Sequence, residues 1–207
     1  MTLNSVLGKN WISKKYNDEI VNTLKDNLSL SEILSRLIAI RKININEVNL
    51  YLNPKLKNSL PDPFILKDMD KSVDRTSKAI INKEKIGIFG DYDVDGATST
   101  AILGNYFKDI GSNISIYIPD RKTEGYGPTN NGFDKLIKEG SNIIFTVDCG
   151  TMSFDTINTY QKKNYDIIIL DHHQSELKLP NAHSIINPNR FDDNSNLNYL
   201  CAAGVCF

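Results

Sequence analysis

The stretch "IGIFGDYDVDG" (residues 86–96) joins a short apolar run directly to three alternating aspartates and a glycine. The apolar run has the length and the β-branched content of a buried strand. Asp91, Asp93 and Asp95 would repel one another at this spacing, and a bound cation is the usual means of neutralising such a cluster. The stretch therefore predicts a strand that ends at a cation site.

Further short apolar runs follow along the chain, with helical patterns between most of them. The runs lie at 114–118, 143–147, 166–170 and, more weakly, 183–187, and the candidate helices at about 97–108, 130–139 and 152–163. Strands that are apolar throughout and alternate with helices are typical of a parallel sheet covered on both faces. We therefore predict an α/β fold, a parallel β-sheet flanked by helices.

The first 66 residues have a helical pattern instead. Ser29 and Glu32 fit a capping box, and apolar residues then recur at helical spacing as far as Ile40. The proline-punctuated "LPDPF" (60–64) follows as a connector. We predict an N-terminal helical segment, 1–66, followed by the α/β domain at 67–207.

The composition of the 207 residues limits the class of protein. Lys+Arg 24 against Asp+Glu 25 leaves a net charge of −1, so a nucleic-acid partner would have to bind a local basic groove. Three cysteines without a C-x-x-C pattern argue against a disulfide framework and against structural zinc. The sequence contains neither a signal peptide nor an apolar run of membrane-spanning length. We expect a cytoplasmic protein without a membrane partner.

Three of the predicted strands end at acidic or imidazole groups. These are the aspartate cluster after the first strand, "DCG" (148–150) after the third and "DHH" (171–173) after the fourth. Ligands bind at the carboxyl ends of the strands in parallel sheets, so Asp93, Asp95, Asp148 and His172 are expected to meet. Carboxylates with an imidazole and no thiolate suit Mn²⁺ or Mg²⁺. Many enzymes use a pair of such ions for phosphoryl transfer. One carboxylate must then bridge the two ions, and Asp148 is placed to do so.

Other interpretations of the aspartate cluster fit less well. A calcium loop of the EF-hand type needs a preceding helix and a glutamate at its twelfth position, where the count from Asp91 reaches Ile102. Neither of the glycine-rich phosphate-loop patterns is present. An aspartate-based phosphotransferase loop would leave the paired histidines unexplained. Asp91 could be a metal ligand, a residue behind the ligands or the cap of the next helix.

The motifs "DYDVDG" (91–96), "TVDCG" (146–150) and "DHH" (171–173) resemble, in order and spacing, motifs I to III of the DHH phosphoesterase superfamily. The blocks "PDPFILKDMDKSVDR", "IPDRKTEGYG", "LPNAHSIINPNR" and "CAAGVCF" resemble its single-strand-specific 5′→3′ DNA exonucleases. The resemblance implies metal-dependent phosphodiester hydrolysis of single-stranded DNA in repair and recombination. A helicase or a single-strand-binding protein would be a further partner.

The resemblance also implies a division of the metal ligands. Asp93 would hold one Mn²⁺ or Mg²⁺ ion, and Asp95 and His172 would hold the other. Asp148 would bridge the two ions. Apart from the resemblance, we expect Asp91 to lie behind these ligands.

The remaining site residues are assigned by the same resemblance. His173 would face the scissile phosphate and supply positive charge or a proton. Asp171 would orient the histidine pair. Arg121 and Tyr126 would lie near the backbone of the substrate.

Members of the superfamily that this chain resembles continue beyond its last block, with a fourth aspartate motif, a DHHA1 domain and an OB-fold. We therefore expect a truncated form with weak metal binding and little or no activity. Two alternatives stay open. The chain could act on short oligonucleotides or small phosphate compounds, or it could be a non-catalytic DNA-binding scaffold.

Overall fold

A computed structural model describes residues 2–4 and 6–207 of the chain. The chain divides into two compact units, Met1–Leu60 and Pro61–Phe207. The division precedes the boundary expected after residue 66, because Leu66 is buried in the core of the second unit. No helix in the described ranges is long and apolar enough to cross a membrane.

The first unit consists of a small β-ribbon followed by helices. Its elements are β1 (Thr2–Asn4), β2 (Asn10–Ile12), α1 (Asp18–Leu28), α2 (Glu32–Arg41), α3 (Val48–Leu52) and α4 (Leu56–Ser59). β1 and β2 pair in antiparallel fashion, so the prediction of a helical segment is wrong for this start of the chain. Gly8 has a φ of 68°, which suits a tight connection between the two strands. Met1 and Ser5, within the expected helical segment, lie outside the described residues.

The capping box expected at Ser29 and Glu32 is also wrong. Ser31 is the cap of α2, and its side-chain oxygen accepts the N–H of Leu34 at 3.4 Å. Ser29 instead ends α1, with a φ of 52° in the left-handed region. Leu24, Ile38 and Val48 form the buried core of this unit.

The second unit is an α/β domain with one five-stranded sheet. Its elements are α5 (Met69–Ile81), β3 (Lys85–Phe89), α6 (Val94–Asp109), β4 (Ile114–Tyr117), α7 (Asn130–Lys138), β5 (Ser141–Val147), α8 (Phe154–Lys162), β6 (Asp166–Leu170), β7 (Ser184–Ile186) and α9 (Ala202–Cys206). The strands lie in the order β4-β3-β5-β6-β7, and every neighbouring pair is parallel. The predicted fold class and all five apolar runs are therefore confirmed.

Both faces of the sheet are buried, which explains why its strands are apolar throughout. On one face, Ile86 and Ile88 of β3 belong to a core cluster with Phe107 of α6. On the other face, Phe89 of β3 belongs to a second cluster with Phe133 of α7. Adjacent side chains of one strand thus supply two separate hydrophobic layers.

The strand order places a crevice between the carboxyl ends of β3 and β5. The chain passes from β3 to β4 on one side and then returns to β5 on the other side. Connections that leave adjacent strands in opposite directions create the ligand-binding crevice of doubly wound sheets. The aspartate cluster follows β3 and Asp148 follows β5, so both border this crevice.

Candidate metal centre

The aspartate cluster is formed by the connection between β3 and α6. Asp93 caps α6, and its Oδ1 accepts the N–H of Gly96 at 2.9 Å, which lowers the pKa of the carboxyl. Asp91 is buried behind it, and burial raises the pKa of that group. A Cβ atom on Gly96 would lie 2.5 Å from the Cβ of Asp91, so this close approach requires glycine. The helix cap expected as one option for Asp91 is provided by Asp93 instead.

Asp148 lies at the centre of the site. Its side chain is only 2% exposed, and its Oδ1 has no hydrogen-bond partner among the described residues. Burial, followed by the charges of Asp95 and Asp93, raises the pKa of its carboxyl to about 8. Its backbone φ is 61°, an uncommon conformation for a residue with a side chain. Oδ1 of Asp148 is therefore a buried acceptor that remains available to a bound ligand.

His172 approaches two carboxylates from the end of β6. Its Nε2 lies 3.3 Å from Oδ1 of Asp148 and 3.4 Å from Oδ2 of Asp95. Nitrogen and oxygen ligands about 2.1 Å from one ion lie about 3.0–3.5 Å from each other. The distance from Nε2 to each carboxylate fits a pair of ligands on one divalent cation, but Asp95 belongs to neither set of three ligand atoms that lie within 4.8 Å of one another in the described residues.

Two groups of possible ligands share Asp148. One consists of Asp91, Asp93 and Asp148, and the other of Asp148, His172 and His173, with ligand atoms within 4.8 Å of one another in each group. No lysine or arginine in the described part of the chain forms an ion pair with the aspartates of either group. The positive charges that act on Asp91 come from His173 and Arg121. The donor set and the unpartnered Oδ1 fit one or two divalent cations.

Asp95 has a contact that its motif does not reveal. Its Oδ2 and Oδ1 accept the N–H groups of Ala202 and Ala203, each at 2.8 Å. Asp95 thus holds the start of α9 while its Oδ2 remains near His172. The carboxylate has lone pairs for both contacts, because each oxygen can accept more than one partner.

Asp171 organises the histidine pair. Its Oδ1 accepts the backbone N–H groups of His172 at 2.8 Å and His173 at 3.2 Å, and lies 2.8 Å from Nδ1 of His173. Burial alone would raise the pKa of Asp171, but hydrogen bonds from His173 and Thr151 outweigh it and bring the value to about 2. The same contact raises the pKa of His173. Asp171 thus holds Nδ1 of His173 and leaves Nε2 for other partners.

The expected substrate-binding residues lie on the connection between β4 and α7. The hydroxyl of Tyr126 donates to the carbonyl of Asp148 at 3.0 Å and lies 3.3 Å from Nδ1 of His173. The guanidinium of the exposed Arg121 stacks over the ring of Tyr92, 5.4 Å from its centroid. Both residues are therefore near the aspartate and histidine groups, but the hydroxyl of Tyr126 is occupied by the protein.

Several residues that order this site escaped the sequence analysis. Glu124 holds the connection that carries Arg121 and Tyr126, because it accepts the hydroxyl of Tyr117 at 2.6 Å and the N–H of Asp120 at 3.0 Å. Asn187 and Asn189 contact the histidine pair from the end of β7. The signal for the asparagines was present, since "NPN" (187–189) begins at the last residue of the predicted strand at 183–187.

This combination of a doubly wound sheet with aspartate and histidine groups at its crevice defines a class of protein. Residues 85–207 match the model of the DHH family, N-terminal domain. The chain therefore belongs to the DHH family.

The similar curated proteins include RecJ, the single-stranded-DNA-specific exonuclease. RecJ of Bacillus subtilis (strain 168) is 32% identical over 198 residues, which are 95% of this chain and 25% of that protein. RecJ of Escherichia coli (strain K12) is 34% identical over 179 residues, 86% of this chain and 30% of that protein. The chain thus spans about a quarter to a third of the length of these relatives.

Solved structures of RecJ share the fold. A crystal structure of exonuclease RecJ bound to manganese is 28% identical, with a TM-score of 0.61, over 68% of this chain and 36% of that one. RecJ from Thermus thermophilus, in complex with Mn²⁺, has a TM-score of 0.69 at 22% identity, over 92% of this chain and 26% of that one. The second likeness is one of fold alone.

Proposed function

We propose that this chain forms the metal-binding catalytic part of a single-strand-specific DNA exonuclease of the RecJ type, which removes nucleotides in the 5′→3′ direction during repair and recombination. The observation that carries the proposal is the buried Oδ1 of Asp148, which lacks a hydrogen-bond partner and lies among two ligand groups. Relatives named as single-stranded-DNA-specific exonucleases indicate the substrate class.

The proposed cofactor is a pair of Mn²⁺ or Mg²⁺ ions. Asp93 would hold one ion, Asp95 and His172 the other, and Asp148 would be shared. The buried Asp91 would support Asp93 from behind or join it as a ligand. When bound, such ions activate water and stabilise the negative charge that develops on a phosphate.

The remaining groups would act on the phosphate directly or position those that do. His173, with Nδ1 held by Asp171, would present Nε2 to the scissile phosphate as a positive charge or a proton donor. Arg121 is exposed beside the acidic cluster and would bind a phosphate of the strand. Tyr126 would border the strand with its ring while its hydroxyl stays on the carbonyl of Asp148.

The wider setting of the activity is also a proposal. The relatives are three to four times as long as the matched region, so we propose that these residues alone hydrolyse DNA slowly. The chain would act in the cytoplasm, where its three free cysteines would stay reduced. A helicase or a single-strand-binding protein would deliver or hold the strand.

The proposal is tested with one substitution and one matched control. Manganese is titrated into the chain by calorimetry, and degradation of a 5′-labelled single strand is followed under the same conditions. Asp148→Asn should weaken manganese binding by at least about tenfold and abolish degradation, because it removes the charge shared by both ligand groups. Asp155→Asn, an exposed aspartate in the first turn of α8, should change neither. Equal manganese affinity in the wild type and Asp148→Asn would refute the metal site.

The same preparations separate the alternative substrates and the scaffold. Rates are compared on a long single strand, a dinucleotide and pyrophosphate, and preference for either small compound would replace DNA as the proposed substrate. DNA binding is then measured with EDTA and with Asp93→Ala. Binding that survives both, without hydrolysis, would favour a DNA-binding scaffold.

A further inference from the structure

The segment that follows β7 makes an unusual set of contacts through two asparagines. Asn187 is fully buried, and its side-chain amide donates to Oγ1 of Thr151 at 3.0 Å and to the carbonyl of His173 at 2.9 Å. Its Oδ1 accepts the N–H of Asn189 at 2.8 Å. Both amide N–H groups and the side-chain oxygen of Asn187 are therefore used.

Asn189 makes the same kind of contact with His172 that Asn187 makes with His173. Its side-chain amide donates to the carbonyl of His172. The hydroxyl of Ser175 in turn donates to the carbonyl of Asn189 at 3.2 Å. Each of the two adjacent histidine carbonyls is thus held by one asparagine of the "NPN" sequence at 187–189.

The opposite side of the same dipeptide is fixed by Asp171. The N–H groups of both histidines donate to Oδ1 of this residue, and its Oδ2 accepts the N–H of Thr151 at 3.1 Å. The N–H and C=O groups of both histidines are therefore all engaged by residues of the loops after β6 and β7, and Thr151 of the loop after β5 contacts Asp171 and Asn187. A backbone held in this way leaves the imidazoles only their side-chain torsions for movement.

The chemistry of these positions requires an amide. A carbonyl needs a donor, so an aspartate could not replace either asparagine. At Asn187 it would also add a negative charge to the surroundings of Asp171. A serine has one donor where Asn187 uses two, and it is shorter. Asn187 is also large enough to bridge from β7 to both neighbouring loops.

We propose that Asn187 and Asn189 are positioning residues for the histidine pair. They would fix the backbone of the two histidines so that His172 stays within reach of the carboxylates of Asp148 and Asp95. The function of this positioning rests on the proposed metal site. The positioning itself is inferred from the hydrogen bonds that the two asparagines donate. The competing explanation is that both asparagines merely satisfy buried polar groups of the fold, in which case they would affect stability alone.

The experiment compares Asn189→Ala with Ser175→Ala. Both variants lose a hydrogen bond of the same segment, but only Asn189→Ala loses one to a histidine carbonyl. Free manganese is measured by electron paramagnetic resonance at a temperature where circular dichroism shows both variants folded. Asn189→Ala should bind manganese about tenfold more weakly, the usual effect of removing a partner that orients a metal ligand. Ser175→Ala should stay within about twofold of the wild type.

A second measurement is made on the metal-free chain. Long-range ¹H–¹⁵N NMR spectra report the imidazoles of the three histidines, and His183, near Asp166 at the start of β6, is an internal reference. Asn189→Ala should broaden or shift the signals of His172 and leave those of His183 unchanged. Asn187→Ala should do the same for His173, and if that variant does not fold, Asn189→Ala decides.

The outcomes separate the two proposals. Unchanged His172 signals together with manganese affinity within about twofold of the wild type would overturn the positioning role. If the wild type itself binds no manganese, the proposed metal site fails, and the imidazole signals of the metal-free chain still decide whether the asparagines position the histidines.

Discussion

Asp148 combines a left-handed backbone, a buried carboxylate and an oxygen without a hydrogen bond, and each of these is unfavourable in the metal-free protein. The charges of Asp95 and Asp93 add repulsion to the cost of burial, which is why the pKa of Asp148 rises to about 8. A residue with so many unfavourable features is expected where binding, not folding, determines its identity. The residue thus lowers the stability of the metal-free fold in favour of a bound cation.

The substitution Asp148→Asn should stabilise the metal-free protein. Above about pH 8, where the carboxyl is ionised, it removes a buried charge next to two others, and asparagine tolerates a φ of 61° at least as well as aspartate. We expect a gain on the order of 1 kcal/mol in the free energy of unfolding, or about 2–4 °C in Tm. Thermal unfolding in EDTA measures it.

The stabilisation should disappear when manganese is added. The wild type should then gain in Tm by mass action, whereas Asp148→Asn should not. A lower Tm of Asp148→Asn in EDTA would show that the carboxylate contributes to folding by itself.

The start of α6 determines how the aspartate cluster is arranged. The sequence predicts a helix from about 97, whereas α6 begins at Val94 because Asp93 caps it. Asp95 therefore lies in the first turn of a helix, and Gly96 packs against the backbone of Asp91. Caps and close approaches of this kind depend on atomic distances, and hydrophobic periodicity does not record them.

Gly96→Ala should strongly destabilise the protein. A Cβ at this position would lie 2.7 Å from the Cα and from the backbone oxygen of Asp91, so the backbone must move. We expect a loss of at least about 2 kcal/mol in urea unfolding.

Gly104→Ala, in the same helix, is the matched control. Its Cβ would meet only the ends of isoleucine side chains, of which the nearest is Cδ1 of Ile116 at 3.3 Å, and alanine favours helix. This variant should stay within about 1 kcal/mol of the wild type. Equal losses in both variants would mean that the packing on Asp91 is not the cause.

The connection between β4 and α7 depends on one carboxylate. Glu124 accepts hydrogen bonds from Tyr117 and from the backbone of Asp120, and the first of these lowers its pKa. Glu124→Ala should release the connection and speed amide exchange of residues 118–128 by at least about tenfold, measured by mass spectrometry. Glu139→Ala, an exposed glutamate at the end of α7, should leave this exchange unchanged. Unaltered exchange in Glu124→Ala would show that other contacts hold the connection.

For the whole molecule, the sequence predicted the parallel sheet because its strands are short, β-branched and separated by helices. It also predicted which strand ends bring aspartates and histidines close together, since chain order and the geometry of parallel sheets suffice for that. The β1–β2 ribbon could not be predicted, because its pairing depends on contacts that no periodicity records. The contact of Asp95 with α9 joins residues 107 and 108 positions apart, and those of Asn187 and Asn189 join separate loops. Such contacts arise only when the chain is folded.

The stability of the whole chain should depend on pH through Asp148. In the metal-free fold the pKa of Asp148 is about 8, whereas its ordinary value is 3.8. Between these two pH values the folded state therefore binds one proton more than the unfolded state. The free energy of unfolding therefore falls as pH rises through this window. Asp171 acts in the opposite way, since its pKa of about 2 gives stability that is complete above its ordinary value and is lost as pH falls.

The comparison of the wild type with Asp148→Asn isolates the first effect. The difference in Tm between the two in EDTA should grow from about pH 4 to about pH 8, because only the wild type releases a proton on unfolding in this range. Manganese should raise the Tm of the wild type more at the higher pH, because the ion no longer competes with a proton. A difference in Tm that is constant with pH would show that Asp148 is already ionised in the metal-free fold.

The hydrogen bonds from the start of α9 to Asp95 allow ion binding to be followed by fluorescence. Cys201, immediately before Ala202, is exposed, whereas Cys149 is buried and burial raises the thiol pKa of Cys206 to about 12. A maleimide dye should thus label Cys201 selectively. Because the labelled residue adjoins the two amides that Asp95 holds, the dye's emission would follow, in real time, the arrival of an ion at that carboxylate.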